Sequence, residues 1–142
     1  MKTEINLIDG VAFKATSGNG HSVLMDGAPE AGGKNLGARP MEMLLMGLGG
    51  CSAYDIVTIL RKSRQNVTDL TLKIDAKRAE IDPKVFTSIH LLFEVTGSDL
   101  NDNIIERAIK LSAEKYCSAS IMLGKSADIT HGYKIHNASD LE

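Results

Sequence analysis

The sequence has 142 residues, 43% of them hydrophobic and 24% charged, and a formal net charge of −2. Such a composition is typical of an ordinary globular protein, and a chain of this length most simply forms a single domain covering residues 1–142. Acidic and basic residues are spread along the chain without a long basic block and there is no tryptophan, so we expect no nucleic-acid partner.

The N-terminal residues mix charged and apolar side chains, which predicts neither a secretory signal peptide nor a membrane-spanning segment. The longest nearly uncharged stretch, Met43 to Tyr54, has 12 residues and includes three glycines. We therefore expect a cytoplasmic protein without a membrane partner. In that reducing compartment the two cysteines, Cys51 and Cys117, are expected to be free thiols that are catalytic, redox-active or simply buried.

The first elements are predicted from alternation and turn sequences. Residues 3–26 alternate short apolar runs with turn signals, which predicts a three-stranded antiparallel meander. The glycine-rich residues 27–38 predict an exposed loop. A long apolar helix follows from Pro40 to about residues 64–66, because proline suits a first helical turn and Glu42 complements the positive end of the helix dipole.

The second half of the sequence predicts a hairpin, two helices and a last strand. The strands are expected at 67–80 and 85–95, with a turn at 81–84. Helical spacing predicts a helix from Ser98 or Asp99 to about Lys115, then a short helix with Ser118 as its N-cap and Gly124 at its end. The last strand is expected at 128–137. Strands and helices thus occur in separate runs, which predicts an α+β fold with antiparallel sheets.

The central helix is apolar around most of its circumference, which predicts a long buried helix. One small sheet covers one face only, so the second helix or a partner subunit must cover the other, and we expect a homodimer. Gly47, Gly49 and Gly50 each cost up to about 1 kcal/mol relative to alanine in a helix. Glycines also let another backbone or a substrate approach closely. On an ideal helix Gly47 and Asp55 flank Cys51 on one face.

The residues alone leave the role of the cysteines open. Cys51 is either a small buried hydrophobic residue or a reactive thiol. Cys117 precedes the expected N-cap Ser118, where helix N–H groups would lower the thiol pKa and make the sulfur a nucleophile or a leaving group. Asp55, one turn after Cys51, is a candidate to tune the thiol or to cap a buried hydrogen bond. Its carboxylate would disfavour a thiolate, which argues against a position very near Cys51.

Neither a metal nor a cofactor is expected from the remaining residues. The histidines have no spacing that suits a zinc site with the two cysteines; they are His21, His90, His131 and His136. The glycine-rich segments lack the context of phosphate-binding loops.

Three features together resemble the two cysteine motifs of the OsmC/Ohr family, the osmotically inducible and organic-hydroperoxide-resistance proteins. They are Pro40 at the start of an apolar helix, GLGGCSAYDI around Cys51 and EKYCSASIML around Cys117. The segment GARPMEMLLMGLGGC is more similar to the bacterial YhfA-type branch than to the peroxidases proper. The resemblance implies an OsmC-like fold and an intertwined homodimer with two active sites at the subunit interface.

The resemblance also implies an activity, the thiol-dependent reduction of organic hydroperoxides. In that reaction Cys51 is the peroxidatic thiol, Cys117 is the resolving thiol, and an external dithiol of the lipoyl type is the reductant. The alternatives are a non-catalytic protein that binds an apolar small ligand at the dimer interface, and a thiol redox sensor.

Two positions depart from the family's peroxidases. Met41 stands where they have a glutamate, and Glu42 is the next residue. The nine residues from Glu42 to Cys51 turn an ideal helix by about 900° and rise about 13 Å, so Glu42 would reach only a partner's site. No arginine precedes Arg39. Arg39 is the expected substitute for the family's arginine, able to stabilise a thiolate or orient a glutamate, with an exposed structural arginine as the alternative.

Overall fold

The computed structural model describes residues 1–141 and contains six strands and three α-helices within them. The chain order is β1 Thr3–Asp9, β2 Ala12–Ser17, β3 Ser22–Met25, α1 Pro40–Lys62, β4 Asn66–Arg78, β5 Phe86–Ser98, α2 Asp102–Leu111, α3 Ser118–Leu123 and β6 Asp128–Asn137. A π-helical turn, Ser112–Tyr116, joins α2 to α3, and short 3₁₀ turns lie at Pro29–Ala31 and Ala138–Leu141. The predicted α+β class and element order are confirmed.

The residues up to Met46 form one compact unit, built on the antiparallel sheet β1-β2-β3. Its register pairs Ile5 with Ala15, Leu7 with Phe13, and Ala15 with Val23. Paired residues share a face of a sheet, so one face of this meander is apolar. The side chains of Ile5, Leu7 and Val23 on that face are exposed.

The predicted loop after β3 is held by the carboxylate of Asp26. This buried group accepts backbone N–H hydrogen bonds from Gly27, Lys34 and Leu36, at 2.7, 2.9 and 3.1 Å. The bond from Leu36, followed by those from Lys34 and Gly27, lowers the pKa of Asp26 against the opposing effect of burial. One side chain thus organises ten residues of loop.

The residues from Gly47 onward form the second compact unit, with the sheet β4-β5-β6. β4 and β5 form the predicted antiparallel hairpin, but β5 and β6 are parallel, with Phe93 paired to Tyr133. The prediction of purely antiparallel sheets is therefore wrong for this pair. The helices between β5 and β6 form a crossover that returns the chain to run in the same direction. β5 lies at the core, where Ile89, Leu91 and Phe93 are buried.

Helix α1 buries one stripe, in which every fourth residue is enclosed: Leu48, Ser52, Ile56 and Leu60. A Cβ added at Gly49 would meet Ile74 at 3.0 Å and Leu72 at 3.6 Å, so this glycine allows close packing of α1 on β4. The helix ends at Lys62, slightly before the predicted end, since Arg64 adopts a left-handed φ of 58°.

Part of the remaining surface of α1 is open within one chain. Leu44, Met46 and Tyr54 are 48%, 56% and 73% exposed. Helix α1 is also long and apolar enough to cross a membrane. Core helices of soluble proteins can have the same length and apolar composition. The sequence predicts that this helix is buried on most sides, but within one chain only one stripe of it is fully buried.

Candidate active site

The structure brings the two cysteines together. The Sγ atoms of Cys51 and Cys117 and a carboxylate oxygen of Asp55 all lie within 4.8 Å of one another. Both cysteines are free thiols. Cys51 and Asp55 come from adjacent turns of α1, and Cys117 comes from the residue that precedes α3. The cluster belongs entirely to the second compact unit.

Asp55 is joined by a hydrogen bond to the segment that carries Cys117, and this bond holds it beside the Cys117 thiol. The Ser112 hydroxyl donates a hydrogen bond of 3.1 Å to Asp55 Oδ2, and the Cys117 N–H donates one of 2.8 Å to the Ser112 carbonyl. The argument against a position of Asp55 near the thiols is therefore wrong, whereas the alternative that Asp55 caps a buried hydrogen bond agrees with its bond from Ser112. The π-helical turn fixes Cys117 to α1 through Ser112.

The sulfur of Cys117 is enclosed and hydrogen-bonded. Its side chain is fully buried, lies 3.3 Å from the Ser52 hydroxyl, and accepts a hydrogen bond of 3.4 Å from the Ser120 N–H. Cys117 itself, and not Ser118 as predicted, is thus the N-cap of α3.

The pKa of the Cys117 thiol is raised, opposite to the expected direction. Burial is the largest cause, and the neighbouring Cys51 adds to it. The hydrogen bonds from Ser52 and Ser120 act in the other direction but do not overcome burial. The helix N-terminus therefore reduces, without reversing, the preference of Cys117 for its protonated form.

The two thiols differ in accessibility, since Cys51 is only partly buried. Next to Asp55 a cleft of about 390 Å³ runs between α1 and the π-helical turn, with Ile59, Lys62 and Tyr116 among its lining residues. A small organic molecule fits a space of this size. The arrangement therefore combines a partly buried cysteine, a fully buried cysteine and a cleft that reaches Asp55 but is lined by neither cysteine.

Comparison with known proteins identifies the family. The OsmC-like protein family matches residues 32–132. Protein YhfA of Escherichia coli (strain K12) is 47% identical over 135 residues, which cover 95% of this chain and 98% of that protein. The chain belongs to the OsmC-like protein family. The resemblance found in the sequence, including its YhfA-type branch, is confirmed.

Solved structures share the OsmC-like fold. A hypothetical protein from Aquifex aeolicus VF5 is 29% identical, with a TM-score of 0.84 over 96% of both chains. The organic hydroperoxide resistance protein OhrB of Bacillus subtilis has a TM-score of 0.62 over 94% of this chain and 98% of its own, at 17% identity. At that identity the likeness to OhrB shows the fold alone.

Arg39 and Glu42 lie in the first compact unit of this OsmC-like chain and have structural roles there. Glu42 Oε2 accepts a hydrogen bond of 2.8 Å from the Arg39 N–H, which caps the start of α1. Arg39 Nη1 donates to Asn35 Oδ1 at 3.1 Å and to the Gly37 carbonyl at 3.3 Å. That Arg39 or Glu42 acts on a Cys51 thiol, in the same chain or in a partner subunit, stays a prediction.

Sequence reasoning missed Ser52 and Ser112 as neighbours of the thiols. A signal for Ser52 was available, because it lies four residues from both Leu48 and Ile56 on the buried stripe of α1. A buried hydroxyl needs a hydrogen-bond partner, and Cys117 supplies it. Ser112 likewise follows Ala108 and Ile109 on the buried face of α2.

Proposed function

We propose that this OsmC-like protein is a thiol-dependent peroxidase that reduces organic hydroperoxides through a two-cysteine cycle. The observation that carries the proposal is the pair of free sulfurs within 4.8 Å, one partly accessible and one buried. The shared fold with OhrB, whose name refers to organic hydroperoxide resistance, agrees with it.

In the first step the Cys51 thiolate attacks the distal oxygen of the hydroperoxide ROOH. The O–O bond breaks, Cys51 becomes a sulfenic acid, and the alkoxide leaves as the alcohol ROH after it takes up a proton. Cys51 suits this role because it is the less buried of the two cysteines. The cleft beside Asp55 offers room for the organic part of the hydroperoxide.

In the second step the Cys117 sulfur attacks the Cys51 sulfenic acid, a disulfide forms and water leaves. A disulfide bond is about 2 Å long, so side-chain rotation must bring the two sulfurs closer. Cys117 must also lose its proton, and the Ser52 hydroxyl and Ser120 N–H stabilise the thiolate as it forms. An external dithiol then reduces the disulfide by exchange and is itself oxidised to a disulfide.

We also propose that the active form is a homodimer. The exposed Leu44, Met46 and Tyr54 give α1 an uncovered apolar face. A Cβ added at Gly47 or Gly50 would meet nothing within 4 Å, so these two glycines have no packing reason within one chain. A second copy that packs on this face would account for both observations.

Turnover of cumene hydroperoxide with dihydrolipoamide tests the proposed activity. Wild type should consume peroxide with multiple turnovers, and Cys51→Ser should fall to the rate without protein. Cys117→Ser should stop after one equivalent, with a sulfenic acid on Cys51 that a dimedone-type reagent traps. Ser118→Ala, an exposed change beside the second cysteine, is the matched control and should behave as wild type.

The same measurements distinguish the alternatives. Equal background rates for wild type and Cys51→Ser would overturn the peroxidase and favour a binder of an apolar ligand. A Cys51–Cys117 disulfide that forms after one equivalent of peroxide but is not recycled by dithiols would favour a redox sensor.

A further inference from the structure

The peroxide cycle uses two of the three groups in the cluster and leaves Asp55 unexplained. A carboxylate oxygen of Asp55 lies within 4.8 Å of both sulfurs, yet it has no role in the peroxide reaction. A bound divalent cation would give all three ligand atoms one partner, because a carboxylate and two thiolates are attracted to the same positive charge. Asp55 is therefore suited to a state in which the thiols hold a metal ion.

We propose that Cys51, Asp55 and Cys117 form a binding site for a thiophilic divalent cation, with Zn²⁺ as the natural candidate. Zinc forms tetrahedral sites from thiolate, imidazole and carboxylate ligands at about 2.0–2.3 Å, which places ligand atoms about 3.4–3.8 Å apart. The three ligand atoms lie within 4.8 Å of one another, so small side-chain rotations reach that geometry. This proposal departs from the sequence-based expectation that no metal binds, because the proximity of Cys117 to Cys51 and Asp55 is not encoded in any local spacing.

The surroundings of the cluster orient each ligand. Cys51 and Asp55 are four residues apart, the spacing that presents two ligands on one helix face. The Ser112 hydroxyl holds Asp55 Oδ2, and its carbonyl holds the Cys117 backbone. Ser52 lies against the third ligand, Cys117. Partners of this kind fix ligands of metal sites, and their loss typically costs 10- to 100-fold in affinity.

The partial exposure of Cys51 leaves a path for the ion and for a water molecule in the fourth position. Two of the ligands are thiols, which must lose their protons to bind. Insofar as the proposed peroxidase function holds, a bound cation engages both sulfurs and would stop the peroxide reaction. Metal binding would then both protect the thiols from oxidation and inhibit the enzyme.

Cobalt titration of the reduced protein under anaerobic conditions tests the site directly. Co²⁺ should bind once per chain, with a thiolate-to-cobalt charge-transfer band in the near ultraviolet and visible bands of tetrahedral intensity. Added Zn²⁺ should abolish both. The absence of thiolate-to-cobalt absorption in wild type would overturn the proposal.

The third ligand is tested by Asp55→Asn, which preserves the shape of the side chain but removes its charge. Its affinity for cobalt should fall by about 100-fold or more. Asp75→Asn, an exposed carboxylate change on β4, is the matched control and should bind as wild type. Wild-type affinity in Asp55→Asn would reduce the cluster to a pair of thiols and overturn the three-ligand site. If circular dichroism shows that Asp55→Asn does not fold, Asp55→Glu replaces it as the test variant. Asp55→Glu keeps the carboxylate, so it must retain the tetrahedral cobalt spectrum of wild type, and loss of that spectrum would overturn the three-ligand site.

Metal binding and peroxidase activity are measured separately, so their failures are distinguishable. Cobalt absorption without peroxide turnover would retain the metal site and reject the enzyme. Turnover without cobalt absorption would do the reverse. Where both occur, one equivalent of Zn²⁺ should inhibit wild type strongly and Asp55→Asn about 100-fold less readily.

Discussion

A sulfur atom occupies the N-cap position of α3, where a serine, threonine, asparagine or aspartate oxygen is preferred. The Cys117 thiol therefore has two roles, since it caps a helix and is the proposed resolving nucleophile. Capping and the Ser52 hydroxyl stabilise its thiolate, while burial stabilises the thiol. Its reactivity depends on the balance between them.

The change Ser52→Ala should disturb this balance. Loss of the hydroxyl removes a group that lowers the Cys117 pKa, so the thiolate becomes scarcer. Hydrogen bonds to charged groups contribute about 1.5 kcal/mol or more, so disulfide formation after one equivalent of peroxide should slow about tenfold. Quenched-flow intact-mass measurements follow this step. Ser118→Ala, which is exposed, is the control, and an unchanged rate in Ser52→Ala would contradict the expectation.

Asp26 supports a second prediction at the residue scale. Its folded-state pKa is lowered, so its contribution to stability is complete above the unfolded pKa of about 3.9 and is lost as the pH falls through the lower folded value. Asp26→Asn keeps the size of the side chain but weakens the bonds from Lys34 and Leu36. Hydrogen exchange of these two amides at neutral pH should accelerate, whereas Asp75→Asn should leave them unchanged. Unaltered protection in Asp26→Asn would refute the role of Asp26.

The sequence identified the two cysteines but not their neighbours. Cys51 and Asp55 share a helix face by their spacing, but the charge argument against a carboxylate beside a thiolate led to the wrong expectation for Asp55. Contact of Cys117 with Ser52 and Asp55 joins elements that are distant along the chain, and no local pattern encodes it. The pKa of Cys117 was misjudged for the same reason, because burial is a property of the whole unit whereas capping is local.

Among the elements, β6 illustrates what a sequence pattern determines and what it does not. β6 was predicted at 128–137 and occurs at Asp128–Asn137, since its alternation and flanking turns are clear. Its parallel pairing with β5 was missed, because alternation specifies a strand but not its direction. The direction follows from the crossover through α2 and α3.

β6 also carries a pH-dependent element, His131, which stacks on Phe93 with ring centroids 6.3 Å apart. Burial, and secondarily the charge of His90, lower the pKa of His131. The unfolded chain therefore binds more protons than the folded chain at pH values below about 6.5 and above the lowered pKa. Folding stability should fall as the pH decreases through this window.

Urea unfolding at pH 8 and at pH 5.5 measures the effect. The wild-type midpoint should be lower at pH 5.5, and His131→Phe should reduce the difference because it removes the titrating group while keeping an aromatic ring on Phe93. His21→Gln, an exposed change in the first unit, should keep the wild-type difference. An equal pH dependence in His131→Phe would show that other groups are responsible.

At the scale of the whole molecule, the apolar surface of α1 and of the β1-β2-β3 meander is larger than one chain covers. Leu44, Met46 and Tyr54 on the helix are exposed, as are Ile5 and Leu7 on the sheet. Exposed apolar patches of this kind typically mark association sites. The sequence pattern predicted the apolar helix, but a single sequence does not specify which faces a second copy would cover in the proposed dimer.

If the proposed dimer forms through this face, the double change Gly47→Ala with Gly50→Ala should stabilise the single chain but weaken its association. Within a chain the added methyl groups meet nothing, and alanine favours a helix by up to about 1 kcal/mol at each position. At a close helix–helix interface the same methyl groups would clash. Analytical ultracentrifugation should show weaker association of the variant, with Lys125→Ala, an exposed change outside α1, as control. Unchanged association together with higher stability would place the interface elsewhere.

The position of Cys117 late in the chain has a consequence during translation. Cys51 leaves the ribosome 66 residues before its partner, and β6, which completes the supporting sheet, is made later still. Domains fold as units, so the nascent polypeptide carries a lone thiol on an apolar segment until synthesis is nearly finished. An oxidant that reaches this thiol early would find no resolving sulfur in place, and the newly made chain would depend on the reducing capacity of its surroundings to mature intact.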